Sequence, residues 1–169
     1  MAANSTPKPP KQAIVTYKTD NLFNGSESFI LHGCNAQGVM GSGVARQIRA
    51  LYPEAYDAYM DAYHGRADKS KGLPLGSFSM ATSNGKTIIN GVTQNFFGRD
   101  PTIVYVSYGA ISDLLNALSE VPALQGQTIA LPKIGAGLAN GDWSVIESIL
   151  QEERKLFFTV YEPPTPIAP

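Results

Sequence analysis

At 169 residues, with 43% hydrophobic and 16% charged residues, the chain is long enough for one compact domain with a real core and too short for two, and it is too apolar to be disordered. Its formal net charge of -1 gives no general attraction to nucleic acid or to an anionic membrane, so a bound anion has to be held by local backbone dipoles. The single cysteine, Cys34, excludes an intramolecular disulfide and makes no thiolate metal site by itself. No apolar run reaches transmembrane length and the N-terminus lacks the apolar core of a secretory signal, so a cytoplasmic location is the default expectation.

In chain order, the proline-rich residues 1–11 and the similar tail 163–169 read as flexible segments outside a single domain spanning 12–162. Ala13 to Tyr17 has the β-branched and aromatic content of a strand, and 18–21 its exit turn. Asp20 then sits at a strand's end, either facing a pocket rim or capping Leu22-Phe23. Phe29-Ile30-Leu31 begins a second strand that runs through His32-Gly33-Cys34-Asn35 into the glycine-rich loop 38–43 and a helix reaching about Tyr52. Pro53 starts another helix, to about His64, whose tyrosines at 52, 56, 59 and 63 recur at helical spacing and read as a packing stripe. Residues 65–76 are basic and turn-rich, a solvated loop.

Two strands follow, 77–81 and 87–93, joined by Asn84-Gly85, the strongest hairpin signal in the chain. Residues 94–101 form a polar loop, and Ile103 to Val106 is either a short strand or the lead-in to a helix from about Tyr108 to Leu118, which places Ile111, Leu114, Leu115 and Leu118 on one face. A strand, 128–132, a second glycine loop, 133–141, a helix from about Trp143 to Lys155 and a last strand, 157–161, complete the order. Alternating βα units with one hairpin predict an α/β fold with a mixed, mostly parallel sheet covered by helices on both faces. Ligands of such sheets bind at the carboxyl ends of the strands.

Both glycine loops follow a strand and open a helix. Glycine lets the backbone approach a bound group, and the unpaired N–H groups of a helix's first turn attract an oxyanion, so two such loops suggest a diphosphate held between them. Neither loop has the spacing of a known nucleotide fingerprint. Asn35 can both donate to and accept from a ribose hydroxyl pair, or it can serve a turn. Strand alternation puts His32 and Cys34 on one face and Leu31 and Gly33 on the other, so His32 is either a structural histidine below a pocket or a catalytic one. Asp142, just before Trp143, is either a general base or a helix N-cap. Tyr108, Phe97 and Tyr161 are aromatic candidates for stacking or for core. No His, Cys, Asp or Glu cluster has metal-ligand spacing, and no Ser or Cys nucleophile sits in an elbow motif.

Leu31-His32-Gly33-Cys34-Asn35 with 38–45, and Leu131-Pro132-Lys133-Ile134-Gly135-Ala136-Gly137-Leu138 with 139–143 about a hundred residues on, resemble the macrodomain family over nearly the whole chain, from about Ile14 to Tyr161. The similarity is to the branch containing the yeast-type ADP-ribose 1″-phosphate phosphatases and the terminal ADP-ribose protein glycohydrolases. The resemblance implies a three-layer α/β/α fold with a mixed six-stranded sheet and a cleft for ADP-ribose. It implies that Asp20 accepts from the adenine amino group and that Asn35 contacts the distal ribose. Gly41, Ser42, Gly43 and Val44, with Gly135, Ala136, Gly137 and Leu138, would cradle the diphosphate. His32 matches a histidine proposed as catalytic in the phosphatases, and Asp142 lies in a Gly-Asp-Trp context common in bacterial and phage relatives.

Three positions depart from the family pattern: Thr19 stands in place of a glycine, and Gln94 and Ala139 replace the lysine and aspartate of the glycohydrolases. The resulting expectation is a monomer that hydrolyses ADP-ribose 1″-phosphate with His32 or Asp142 ordering the water, using no cofactor or metal and binding neither nucleic acid nor membrane. The alternatives are a non-catalytic reader of ADP-ribose and a hydrolase of O-acetyl-ADP-ribose or of protein-linked ADP-ribose esters.

Overall fold

The computed structural model describes residues 12–66 and 70–164; both proline-rich ends, except for 163–164, and part of the basic loop lie outside the described residues. The strands are β1 (Val15–Thr19), β2 (Phe29–Asn35), β3 (Phe78–Ser83), β4 (Lys86–Gln94), β5 (Thr128–Leu131) and β6 (Phe157–Glu162). The helices are α1 (Gly43–Leu51), α2 (Pro53–Arg66), α3 (Tyr108–Ser119) and α4 (Trp143–Gln151). All six strands form one sheet in the order β1-β6-β5-β2-β4-β3, in which only the β3–β4 pair is antiparallel. That pair is the hairpin expected at Asn84-Gly85, and both turn residues take positive φ, 48° and 78°, as a primed turn requires.

Successive residues of the central strands feed opposite cores, as the period of two dictates. Ile30, Ile88 and Ala130 pack with Ile48 and Tyr52 beneath α1 and α2, while Leu31, Ile89, Ile129 and Leu131 pack with Leu114, Leu118, Ile146 and Leu150 of α3 and α4. The result is three layers with the sheet in the middle. The tyrosine stripe is largely core: Tyr59 is fully buried and Tyr52 nearly so, with Tyr56 and Tyr63 partly buried beside Met40 and Leu73. Ile103 to Val106 forms no strand; Val106 makes a single antiparallel bridge to Gln94. Helix α4 ends at Gln151, short of Lys155, because the Glu153 carboxylate accepts from the N–H groups of Arg154 and Lys155 and replaces the helical bonds there.

The β2–β4 register contains the irregularity that matters most for the site. Cys34 pairs with Val92 and Asn35 with Gln94, so the ladder skips Thr93. A skipped residue in a strand pair is a bulge, which bends the strand and re-aims a side chain.

Candidate functional site

The chain leaves β2 toward α1 on one face of the sheet and leaves β5 toward α4 on the other. β2 and β5 are neighbours in the sheet, so the divergence of their exit loops opens a crevice at their carboxyl ends, the position at which doubly wound sheets take ligands. A cleft of about 700 Å³ lies there, lined by the end of β2, residues 41–45, Thr93 and Gln94, residues 97–99 and residues 132–139. That volume falls within the range of roughly 300–1,000 Å³ usual for small-molecule sites.

On one side the wall is the start of α1. Gly43 opens the helix with φ +61°, and the nearest heavy atom to a Cβ built there would be Leu138 Cδ1 at 3.9 Å, across the cleft. The first turn carries no acidic side chain, and Ser42 at the N-cap makes no side-chain capping bond among the described residues. Backbone N–H groups of this turn lack intrahelical partners by geometry and, with the helix dipole, favour an anion.

Facing it, the loop after β5 is folded tightly on itself. Ile134 N–H donates to Pro132 O, Ala136 N–H to Lys133 O and Gly141 N–H to Gly135 O. Gly135 has φ +78°, and a Cβ on it would come within 2.7 Å of Val106 Cγ2, so only glycine fits. The Ala136 N–H is therefore engaged within the loop, whereas those of Gly135, Gly137 and Leu138 make no bond among the described residues. Asn140, at φ 59°, donates to Asp100 O and Ile103 O, and its neighbour's carbonyl, Ala139 O, accepts from Tyr105 N–H, so the loop is held from outside by 100–105.

Asn35 stands at the end of β2, 8% exposed, with its carboxamide engaged locally: Nδ2 donates to Val39 O at 2.7 Å, and Oδ1 accepts from Gln37 N–H at 2.9 Å and from the Tyr59 hydroxyl at 3.0 Å. It fixes the first glycine loop to α2. Asp20 is exposed at the end of β1, outside the cleft lining, its Oδ1 accepting from Asn21 N–H and Asn24 Nδ2. The N-cap in that turn is Asn21, not Asp20.

His32 belongs to the cleft lining and Asp142 does not, and both side chains are hydrogen-bonded within the protein. His32 is 1% exposed on the α2 face of the sheet, and its Nε2–H donates to Asn90 Oδ1 at 2.6 Å, Asn90 being anchored in turn on Ala55 O and Ser79 Oγ. Burial drives its pKa down to about 4 against the partial opposition of the Asn90 bond, so the ring is neutral at physiological pH. Asp142 caps α4, accepting from Ser144 N–H and Oγ–H; these bonds hold its carboxyl below the usual range, and it lies outside the cleft lining. Cys34 is buried beside His32, and desolvation pushes its thiol pKa far up, so it is no nucleophile. Of the aromatic candidates, Phe97 lines the cleft and is 52% exposed, Tyr108 accepts from Asp142 N–H, and Tyr161 is buried with its hydroxyl on Glu27.

The His32 environment makes stability depend on pH in a defined direction. The unfolded chain takes up a proton near the ordinary value of 6.5 and the folded chain only near 4, so acid favours unfolding through this window. Between pH 7 and pH 5.5 the loss from His32 alone is about 1 kcal/mol. Urea titrations should show this loss in the wild type and a shallower one in His32→Gln. Equal slopes in the two proteins would mean that His32 does not carry it.

Sequence reasoning missed Tyr59, Asn90 and Thr93 as parts of the site. A signal existed for two of them, since Asn90 and Thr93 are polar residues within an otherwise apolar run that the fold makes a buried central strand.

The family model described as Macro domain matches residues 31–150. The chain is 31% identical over 158 residues to the ADP-ribose 1″-phosphate phosphatase of Candida albicans, covering 88% of this chain and 99% of that protein. It is 28% identical over 137 residues to the DNA ADP-ribosyl glycohydrolase of Mycobacterium tuberculosis, covering 81% of this chain but only 38% of that one. Among solved structures, the macrodomain of Mycobacterium tuberculosis DarG superposes with a TM-score of 0.69 at 25% identity, covering 90% of this chain and 99% of that one. Fold, cleft position and sequence agree that the chain belongs to the Macro domain family.

Proposed function

We propose that the cleft binds ADP-ribose and that the protein hydrolyses ADP-ribose 1″-phosphate to ADP-ribose and inorganic phosphate. The observation that carries this reading is the pair of strand-to-helix loops, 41–44 and 135–138, facing each other across the cleft with unengaged backbone N–H groups. In this reading the diphosphate lies between them, held by the α1 first turn and by the N–H groups of Gly135, Gly137 and Leu138; Ala136 contributes shape. Asp20 takes the adenine end and Asn35 the distal ribose. A relative named for this phosphatase activity, aligned over almost its full length, supports the substrate.

The reaction is attack of a water oxygen on phosphorus, cleavage of the bond between phosphorus and the oxygen on C1″, and proton uptake by that oxygen. Such a transfer depends mainly on positioning and on stabilising charge. Backbone dipoles of both loops supply the charge stabilisation. Neutral His32 acts as a positioning residue, holding β2 to β4 under the distal ribose through Asn90, and Asp142 sets the start of α4. Gln94, whose amide donates to Phe96 O, and buried Ala139 stand where the glycohydrolases have lysine and aspartate, so a lysine adduct is not part of the reading.

Incubation with ADP-ribose 1″-phosphate should release inorganic phosphate and leave ADP-ribose as the co-product, followed by phosphorus NMR. Tight ADP-ribose binding without phosphate release would instead identify a non-catalytic reader. That second reading is favoured by one observation, the engagement of both His32 and Asp142 in structural hydrogen bonds.

A further inference from the structure

Thr93 is fully buried, and among the described residues its Oγ1 is the one buried side-chain polar atom without a hydrogen-bond partner. Buried hydroxyls in native structures are nearly always paired, so the exception needs a reason. Its position supplies one. Thr93 is the residue that the β2–β4 ladder skips, its carbonyl is taken by Ser107 N–H, and its side chain lines the cleft beside Gly33. A Cβ at residue 33 would lie 2.7 Å from Thr93 Oγ1 and 3.1 Å from Ile134 Cγ1, so any side chain there would press on the buried hydroxyl and glycine is what leaves room for it. The bulge that aims Thr93 and the missing side chain opposite it together make a polar notch in the floor.

The sheet order says which part of a ligand would reach the notch. Asp20 ends β1, the two phosphate loops follow β5 and β2, and Thr93 lies at the end of β4. An extended ligand laid over the strand ends from β1 to β4 crosses four strand spacings, about 19 Å, with the notch at its far end. We propose that Thr93 Oγ1 is a specificity-determining contact for the substituent on the distal ribose, hydrogen-bonding an oxygen of the 1″-phosphate monoester and distinguishing substrate from product. This rests on the ligand orientation given under Proposed function.

The test compares Thr93→Val, which keeps the shape and removes the hydroxyl, with Thr93→Ser, which keeps the hydroxyl. Thr93→Val should bind ADP-ribose like the wild type and melt no lower, because the lost hydroxyl had no protein partner. Its kcat/KM for ADP-ribose 1″-phosphate should fall about tenfold, the effect of one lost hydrogen bond, with Thr93→Ser close to wild type. If the wild type turns nothing over, the phosphatase reading fails, but the same comparison is made on the Kd ratio of the two ligands. An unchanged ratio in Thr93→Val overturns the proposal, as does a lower melting temperature with both ligands weakened alike, which would mark the hydroxyl as structural. Absence of binding of either ligand by the wild type overturns it together with the orientation on which it rests.

Discussion

Gly43→Glu is expected to weaken ADP-ribose binding more than a hundredfold relative to Gly43→Gln. Residue 43 is exposed at the start of α1, and a side chain there enters open space, its Cβ 3.9 Å from Leu138 Cδ1. Both substitutions force an L residue into φ +61°, at a similar cost of about 1–2 kcal/mol, so strain and bulk cancel in the comparison. What remains is the charge. A carboxylate about 5 Å from one phosphate charge, at an effective dielectric constant near 20, is repelled by about 3 kcal/mol, which is two powers of ten in Kd. It also neutralises the positive end of the α1 dipole that draws the anion in. Calorimetric titration of wild type, Gln and Glu variants at low salt measures the difference, and the gap should narrow as ionic strength rises. Equal affinities for Glu and Gln would mean that the diphosphate does not lie at this turn.

Features encoded locally were legible in the sequence. Asn84-Gly85 specified its hairpin because a primed turn needs positive φ at two successive residues, and this pair tolerates it. Both glycine loops announced themselves because strand, loop and helix start are contiguous, whereas their placement at the neighbouring strands β2 and β5 is set by the sheet order, which the order of elements along the chain does not fix. Illegible features depended on partners remote in the chain. His32 meets Asn90 across 58 positions, and Asn90 meets Ala55 across 35, so nothing near His32 told a buried structural ring from an exposed base. The capping reading of Asp142 is the local one, confirmed by the Ser144 bonds. Thr93 was hidden for another reason: a bulge is a property of a strand pair, and no single strand's sequence displays it.

Replacing Asn90 should be the most damaging of these changes to stability. Its carboxamide is fully buried and joins three elements: Oδ1 accepts from His32 of β2, while Nδ2 donates to Ala55 O of α2 at 3.0 Å and to Ser79 Oγ of β3 at 3.1 Å. Leucine fills a similar volume and pairs with none of them. A buried group that loses its partner costs about 1–3 kcal/mol, so Asn90→Leu should cost about 3–5 kcal/mol, a large share of the 5–15 kcal/mol typical of a domain. Urea unfolding at pH 7, where His32 is neutral, measures it. The double variant His32→Leu/Asn90→Leu should fall short of the sum of its singles by about 1 kcal/mol or more, since removing both partners leaves no orphan between them. Additive losses, or an Asn90→Leu cost below about 1 kcal/mol, would show that the network does not hold β2 to β4. Gly33 directly follows the His32–Asn90 pair and Thr93 lies three residues beyond Asn90 on the same strand, so a loosened pair should also erode the cleft floor: the surviving folded Asn90→Leu protein should bind ADP-ribose more weakly, whereas Thr93→Val leaves that affinity intact.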